Sequence, residues 1–316
     1  MKDTILYGDC RETLKQFDEK ARMCVTSPPY YGLRDYGGEQ SQIGQEQTPE
    51  EFIDELVKVF REVRNVLTDD GTCWVNLGDS YYNYRPGKGQ AYPKQTVSKT
   101  KQDLPDKVSK RGNKLEGLKE KDLIGIPWMF AFAMRKDGWY LRQDIIWHKP
   151  NPMPESVKDR CTKAHEYIFL FSKDKKYYYD NEAIKEPARD WGTRDRSKGK
   201  YHNPGTGLSP HTGLSKSYPT KNKRSVWSVT NKPYRDAHFA TYPPDLIEPC
   251  ILAGSEKGDI VLDPFMGSGT TAMVAKSLGR YYNGCELHED YSNLIDKRVS
   301  LQTATDNPLS DLIAQS

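Results

Sequence analysis

At 316 residues, with 36% hydrophobic and 29% charged side chains, the chain has the length and polarity of a globular protein of one large domain or two small ones. No apolar run is long enough to span a bilayer and the N-terminus lacks the apolar stretch of a signal peptide, so a cytoplasmic location is the expectation. A net charge of +3 is too mild to argue for a nucleic-acid partner by itself, and six scattered cysteines with no Cys-x-x-Cys pair argue against a zinc site or a disulfide framework, so no metal is expected.

Residues 4–7 read as a short strand closed by Gly8-Asp9-Cys10, with a helix expected over 11–17. The apolar run 21–25 then reads as a buried strand leading into Thr26-Ser27-Pro28-Pro29-Tyr30. Neither proline carries an N–H for a sheet ladder, and Pro28 pushes Ser27 toward an extended conformation. The expected result is a stiff corner at the C-terminal edge of a strand, where open α/β sheets bind their ligands. Such a corner suits a flat heterocycle bearing an amino group. The ring can stack on Tyr30, while Ser27 Oγ and the Pro28 carbonyl accept hydrogen bonds from the two amino hydrogens. Taken alone, the tetrapeptide reads more readily as a proline-rich turn.

A helical period covers 49–67, with Phe52, Ile53, Leu56, Val59, Phe60, Val63 and Leu67 on one face and Asp69-Asp70-Gly71 as the expected stop. Residues 72–77 read as another buried strand, and the β-α-β-α-β rhythm predicts a mainly parallel sheet covered by helices. Residues 82–122 lose this pattern and form a basic segment, read either as a flexible insertion or as a DNA-contacting loop. A helix over 126–134 and strands over 139–147, 166–172 and 177–180 follow. Residues 185–236 are a second basic stretch interleaved with Trp191, Tyr201, Tyr218 and Trp227, a composition that suits a nucleic-acid backbone and its bases and is also that of a solvated loop. Residues 301–316 read as a polar tail.

Residues 259–262 read as a strand running into Asp263-Pro264-Phe265-Met266-Gly267-Ser268-Gly269-Thr270-Thr271, then a helix over 272–278 and a strand over 281–285 ending at Glu286. Strand, glycine turn, helix, strand and acid in this order make a nucleoside-cofactor site. The glycines allow close backbone approach, and the acid is placed to accept bonds from ribose hydroxyls. A dinucleotide and S-adenosylmethionine both satisfy this pattern.

The stretch 263–271, the tetrapeptide 27–30 and Phe239-Ala240-Thr241-Tyr242-Pro243 together resemble the amino-methylating DNA methyltransferases, in the circularly permuted group where the tetrapeptide precedes the cofactor motif. Trp147-His148-Lys149-Pro150-Asn151-Pro152-Met153-Pro154-Glu155 and His165-Glu166-Tyr167-Ile168-Phe169 also match that family, and the resemblance spans about residues 6–298 apart from the two basic segments. It implies a single catalytic domain over 1–316, with a Rossmann-like, mostly parallel sheet that has one antiparallel strand and helices on both faces. S-adenosylmethionine is the implied cofactor and double-stranded DNA the implied partner. Ser27, Pro28, Pro29 and Tyr30 would be catalytic. Asp263, Phe265, Gly267, Gly269, Thr270, Thr241 and Pro243 would line the cofactor, Glu286 would hold its ribose, and Asp9 would meet the adenine amino group with Cys10 beside it. A helix N-cap for Asp9 and plain core for Cys10 are the structural alternatives. The segment 185–236 corresponds in position to a target-recognition region, with Arg194, Arg196, Lys223 and Arg224 as candidate DNA contacts. Arg34 and Lys149 flank the pocket, as phosphate contacts or as ordinary surface charge. Serine at the first position of the tetrapeptide goes mostly with methylation at cytosine N4, and adenine N6 is the alternative. The target base would have to be flipped out of the duplex. RNA or protein-amide substrates, and a non-catalytic DNA-binding protein with a vestigial fold, are the rival readings. Oligomeric state and a cognate restriction endonuclease stay open.

Overall fold

The computed structural model describes residues 1–32, 42–82, 115–188, 219–231 and 242–303. The first half runs β1 (Thr4–Tyr7), α1 (Cys10–Thr13) with a 3-10 turn Leu14–Gln16, β2 (Ala21–Thr26), α2 (Pro49–Val66), β3 (Leu67–Leu77), α3 (Ile126–Lys136), β4 (Tyr140–His148) and β5 (His165–Ser172). Three short strands follow, β6 (Glu186–Pro187), β7 (Thr220–Lys221) and β8 (Val226–Ser228). The chain continues through α4 (Pro244–Gly254), β9 (Ile260–Asp263), α5 (Thr270–Ser277), β10 (Tyr281–Glu286) and α6 (Ser292–Thr303).

Eight strands form one sheet in the order β1-β10-β9-β2-β3-β5-β4-β8. Every neighbouring pair is parallel except the two that β5 makes, so β5 is the single antiparallel strand. Alternation along the central strands feeds two cores. Cys24, Cys73, Val75, Phe169 and Phe171 face α1, α2 and α3, while Met23, Val25, Trp74, Ile168 and Leu170 face α4, α5 and α6. Helices therefore cover both faces of a mostly parallel sheet, as expected.

α2 illustrates how directly sequence becomes structure here. Thr48 and Glu51 form a reciprocal capping box, Pro49 occupies the first turn, and Phe52, Ile53, Leu56, Val59, Phe60 and Val63 are buried on one face. Its end departs from expectation. The helix stops at Val66, and Asp69-Asp70-Gly71 lie inside β3, where the register against β2 shifts. A Cβ at Gly71 would sit 2.9 Å from Thr68 O and 3.1 Å from Arg22 O, so this glycine serves a tight irregularity in the ladder and not a helix stop.

Residues 177–180 form no strand, contrary to the expectation. Tyr178 N donates to Asp70 O and Asp180 N to Ala253 O, so the segment crosses between two elements and has no continuous ladder partner. Five elements were absent from the sequence reading: α4, α6 and the short strands β6, β7 and β8, the last extending the sheet beside β4. Among the described residues no helix is long and apolar enough to cross a membrane.

Candidate active site

β2 and β9 lie side by side and parallel, with Cys24 opposite Leu262, so the turns that follow them leave the same sheet edge. From there the chain diverges. β2 continues through α2 to β3 on one side, and β9 through α5 to β10 on the other, with α2 and α5 on opposite faces. This is the switch point at which open α/β sheets form a ligand crevice.

Asp263, at the end of β9, fastens the two turns. Its carboxylate is 1% exposed and accepts from four donors: Thr26 Oγ1 at 2.5 Å and Phe265 N at 3.0 Å on one oxygen, Tyr242 OH at 3.0 Å and Thr271 Oγ1 on the other. Burial raises its pKa, and these donors work against the rise. With all four acceptor positions used, Asp263 holds the corner of β2, the glycine turn and the residue following Thr241 in one body and presents no free acceptor to a cofactor.

The glycine turn has the form of a nucleoside cradle. Gly267 and Gly269 have φ of +53° and +80°, and a Cβ at Gly267 would meet nothing nearer than 3.9 Å, so the backbone there borders open space. Gly269 precedes α5, whose first residue Thr270 is buried, and Phe265 is half-buried against the core on the α1, α2 and α3 face. Glu286, 7% exposed at the end of β10, accepts from Gly267 N at 2.7 Å on one oxygen and from His288 N at 3.1 Å on the other. Each oxygen keeps a further lone-pair position, which fits a pair of ribose hydroxyls. Burial raises the pKa of Glu286 above the ordinary glutamate value. The buried His288 Nε2 nearby has no hydrogen-bond partner. Pro243 is buried immediately before α4.

At the neighbouring strand end, Gly8 N donates to the Glu286 carbonyl, which sets Asp9 beside this cradle. Asp9 caps α1 through Arg11 N and pairs with the Arg11 guanidinium, which also reaches Glu55. Burial pushes the Asp9 carboxyl up, but the Arg11 guanidinium and N–H outweigh it and hold the pKa below the usual value. Cys10 is core, its thiol pKa raised by burial.

On the other side of Thr26, the Tyr30 hydroxyl donates to Glu166 Oε2 at 2.7 Å. Burial and this carboxylate raise the phenol pKa well above its ordinary value, so Tyr30 keeps its proton. Lys149 Nζ pairs with the other oxygen of Glu166 and lies 4.2 Å from the Trp147 ring, and its side chain is 17% exposed, so much of it is covered. Asn76, 4% exposed near the end of β3, lies 3.4 Å from both Ser27 Oγ and the Tyr30 hydroxyl. Gly78 backs the Tyr30 ring: a Cβ there would sit 2.7 Å from Tyr30 Cε2. Asn76, Gly78 and Glu166 were missed as site residues. The signal was their position at strand ends on the edge that carries Ser27.

Of the candidate DNA contacts, Lys223 lies over Trp227 and Arg224 pairs with Glu186 at 2.6 Å beside the β6–β7 pair. Arg34, Arg194, Arg196 and Thr241 lie outside the described residues.

The sequence profile of a DNA methylase family, the N6/N4 type, matches residues 21–297. The chain belongs to this family. It is 46% identical over 301 residues to the type II methyltransferase M.SmaI of Serratia marcescens, covering 93% of this chain and 90% of that protein. It is 45% identical to M.Cfr9I of Citrobacter freundii, covering 94% and 87%. The fold is shared with the PvuII DNA methyltransferase (cytosine-N4-specific), at a TM-score of 0.61 and 19% identity over 94% of this methylase and 86% of that chain. It is shared as well with TTHA0409 of Thermus thermophilus in complex with S-adenosyl-L-methionine, at a TM-score of 0.58 and 24% identity over 95% and 93%.

Proposed function

We propose that this DNA methylase moves a methyl group from S-adenosylmethionine to the exocyclic N4 of a cytosine flipped out of duplex DNA. The observation that carries the reading is the Thr26–Asp263 bond, which locks the Ser27–Tyr30 corner and the Gly267–Glu286 cradle to one sheet edge. S-adenosylmethionine, when bound, supplies an electrophilic methyl group open to direct displacement. Glu286 and the backbone from Phe265 to Thr270 would hold it.

An exocyclic amine is a poor nucleophile, because its lone pair is delocalised into the ring. Ser27 Oγ and the Pro28 carbonyl accept its two hydrogens and favour the pyramidal form, and the stiff proline pair supplies the positioning. The Tyr30 ring stacks on the extruded base, returning about 1–3 kcal/mol of the few that flipping costs. The proton lost from the methylated amine goes to water. Serine as the leading residue of the tetrapeptide supports cytosine over adenine. The segment 185–236 is the target-recognition region, a reading supported by β8, which anchors it to β4 just before Lys149. A restriction-modification role fits the type II names of its relatives.

The test is tritium transfer from labelled cofactor to unmodified genomic duplex DNA, followed by digestion to nucleosides. Label in 4-methylcytosine is expected. Label in 6-methyladenine would overturn the base assignment, and label in RNA alone, or in nothing, the function.

A further inference from the structure

The proton inventory around Ser27 decides which way its hydroxyl faces. The Asn76 side-chain amide has a fixed orientation, because Nδ2 is 3.0 Å from Tyr167 O and 3.3 Å from Glu166 Oε2. A backbone carbonyl and a carboxylate accept hydrogen bonds, so the NH2 group must face them and Oδ1 must face Ser27 and Tyr30. Tyr30 has one hydrogen and delivers it to Glu166 Oε2, at 2.7 Å against 3.4 Å to Asn76 Oδ1. Lys149, on the other Glu166 oxygen, holds that carboxylate in place. Asn76 Oδ1 is thereby left as an acceptor for the hydrogen of Ser27 at 3.4 Å, and the Tyr30 oxygen, to which Ser27 can also donate, lies on the same inner side, so the hydrogen points inward with either partner.

We infer that Asn76 is a positioning residue: by accepting the Ser27 hydrogen it turns the lone pairs of Oγ outward, so that Ser27 meets a substrate amino group as an acceptor only. This rests on the proposed role of Ser27 and adds what that role requires. A free serine hydroxyl can rotate and present its hydrogen, and a hydrogen directed at an amino group would repel the hydrogens it is meant to receive. Glu166 and Lys149 act one step further back, through Tyr30 and the Asn76 amide.

The test is a double-mutant cycle on the full-length protein with Asn76→Ala, Ser27→Ala and the pair. Single-turnover methyl transfer to unmodified duplex DNA is measured together with cofactor affinity, DNA affinity and melting temperature. Asn76→Leu, which fills the volume without an acceptor, separates loss of the hydrogen bond from loss of packing. Asn76→Ala and Asn76→Leu are each expected to slow the transfer step by about ten- to a hundredfold. Cofactor and DNA affinities should stay within about twofold, and in the Ser27→Ala background the further loss should be below about threefold. Losses that multiply across the two sites would overturn the inference, and so would wild-type rates in both Asn76 variants. Wild-type turnover by Ser27→Ala alone would remove the underlying role of Ser27, an outcome visible before any Asn76 variant is made.

Discussion

Gly78→Ala tests whether the position of the Tyr30 ring limits the reaction. The backbone at Gly78 lies outside the left-handed region, so alanine is conformationally acceptable there. The added methyl group is the whole perturbation. It would sit 2.7 Å from Tyr30 Cε2 and 3.3 Å from the Glu166 carboxyl carbon. Carbon atoms in good contact lie about 3.5–4.0 Å apart, so the ring must retreat by about 1 Å or the strand end must move. Overpacking of this kind costs about 1–3 kcal/mol, and the lower chain entropy of alanine in the unfolded state returns about 0.4–1. Stability should therefore change modestly. Rate should change more, because a reacting group misplaced by about 1 Å can cost about a hundredfold. The cofactor cradle is built from other residues, so cofactor affinity should hold. Single-turnover transfer, cofactor titration calorimetry and a melting curve on one preparation separate these effects. A Gly78→Ala protein that turns over like wild type would refute the placement of the Tyr30 ring as a rate-setting feature.

Thr26→Val leaves one Asp263 oxygen with Phe265 N as its remaining donor, and about 1–3 kcal/mol of stability should be lost in urea unfolding; a change below about 0.5 kcal/mol would show that the bond fastens nothing. Tyr30→Ala should reduce turnover strongly while cofactor affinity stays within about twofold, and a parallel fall in both would point to collapse of the site. Asp9→Asn keeps a good helix cap and removes the Arg11 ion pair, for about 0.5–1 kcal/mol at pH 7. Because the folded Asp9 carboxyl lies below its unfolded value, its contribution is present above about pH 3.9 and is lost as pH falls through the folded pKa. The gap in urea midpoint between wild type and variant should therefore narrow between pH 7 and pH 3.5, and an equal gap at both would contradict the assignment.

Elements whose signal is local were legible in the sequence. α2 announces itself through an apolar face at helical spacing from Phe52 to Val63, and β9, α5 and β10 through a glycine turn between apolar runs. The Ser27–Tyr30 corner was legible because proline cannot continue a ladder. Long-range hydrogen bonds were not legible. Tyr30 meets Glu166 across 136 residues and Asn76 across 46, and no periodicity records that β5 runs back past β3 to bring them together. α4 was hidden for a different reason: with Pro249 inside it, it resembles a loop, and tertiary packing of Leu246, Ile247, Cys250 and Ile251 is what sustains it. Asp263 was read as a ligand contact because of the glycine turn that follows it, and only the four donors around it show that its carboxylate is turned inward.

That inward turn bears on how a site made of two distant segments can keep its geometry. The proposed methyl transfer requires the Ser27–Tyr30 corner and the Gly267–Glu286 turn to keep a fixed separation, and either turn alone could drift as loops do. Here the separation is set by the pairing of β2 with β9, and the Thr26–Asp263 bond carries that register into both turns. Asp263 reaches further, to Tyr242 and Thr271, so the start of α5 and the approach to α4 move with it. The pieces that differ in demand are placed differently. β8 lies at the far edge of the sheet beside β4, and the β6–β7 pair is tied to the turn before it through Glu186 and Arg224. A segment there can change without disturbing the β2–β9 seam. β8 and the β6–β7 pair therefore stand apart from the seam on which the proposed methyl transfer depends.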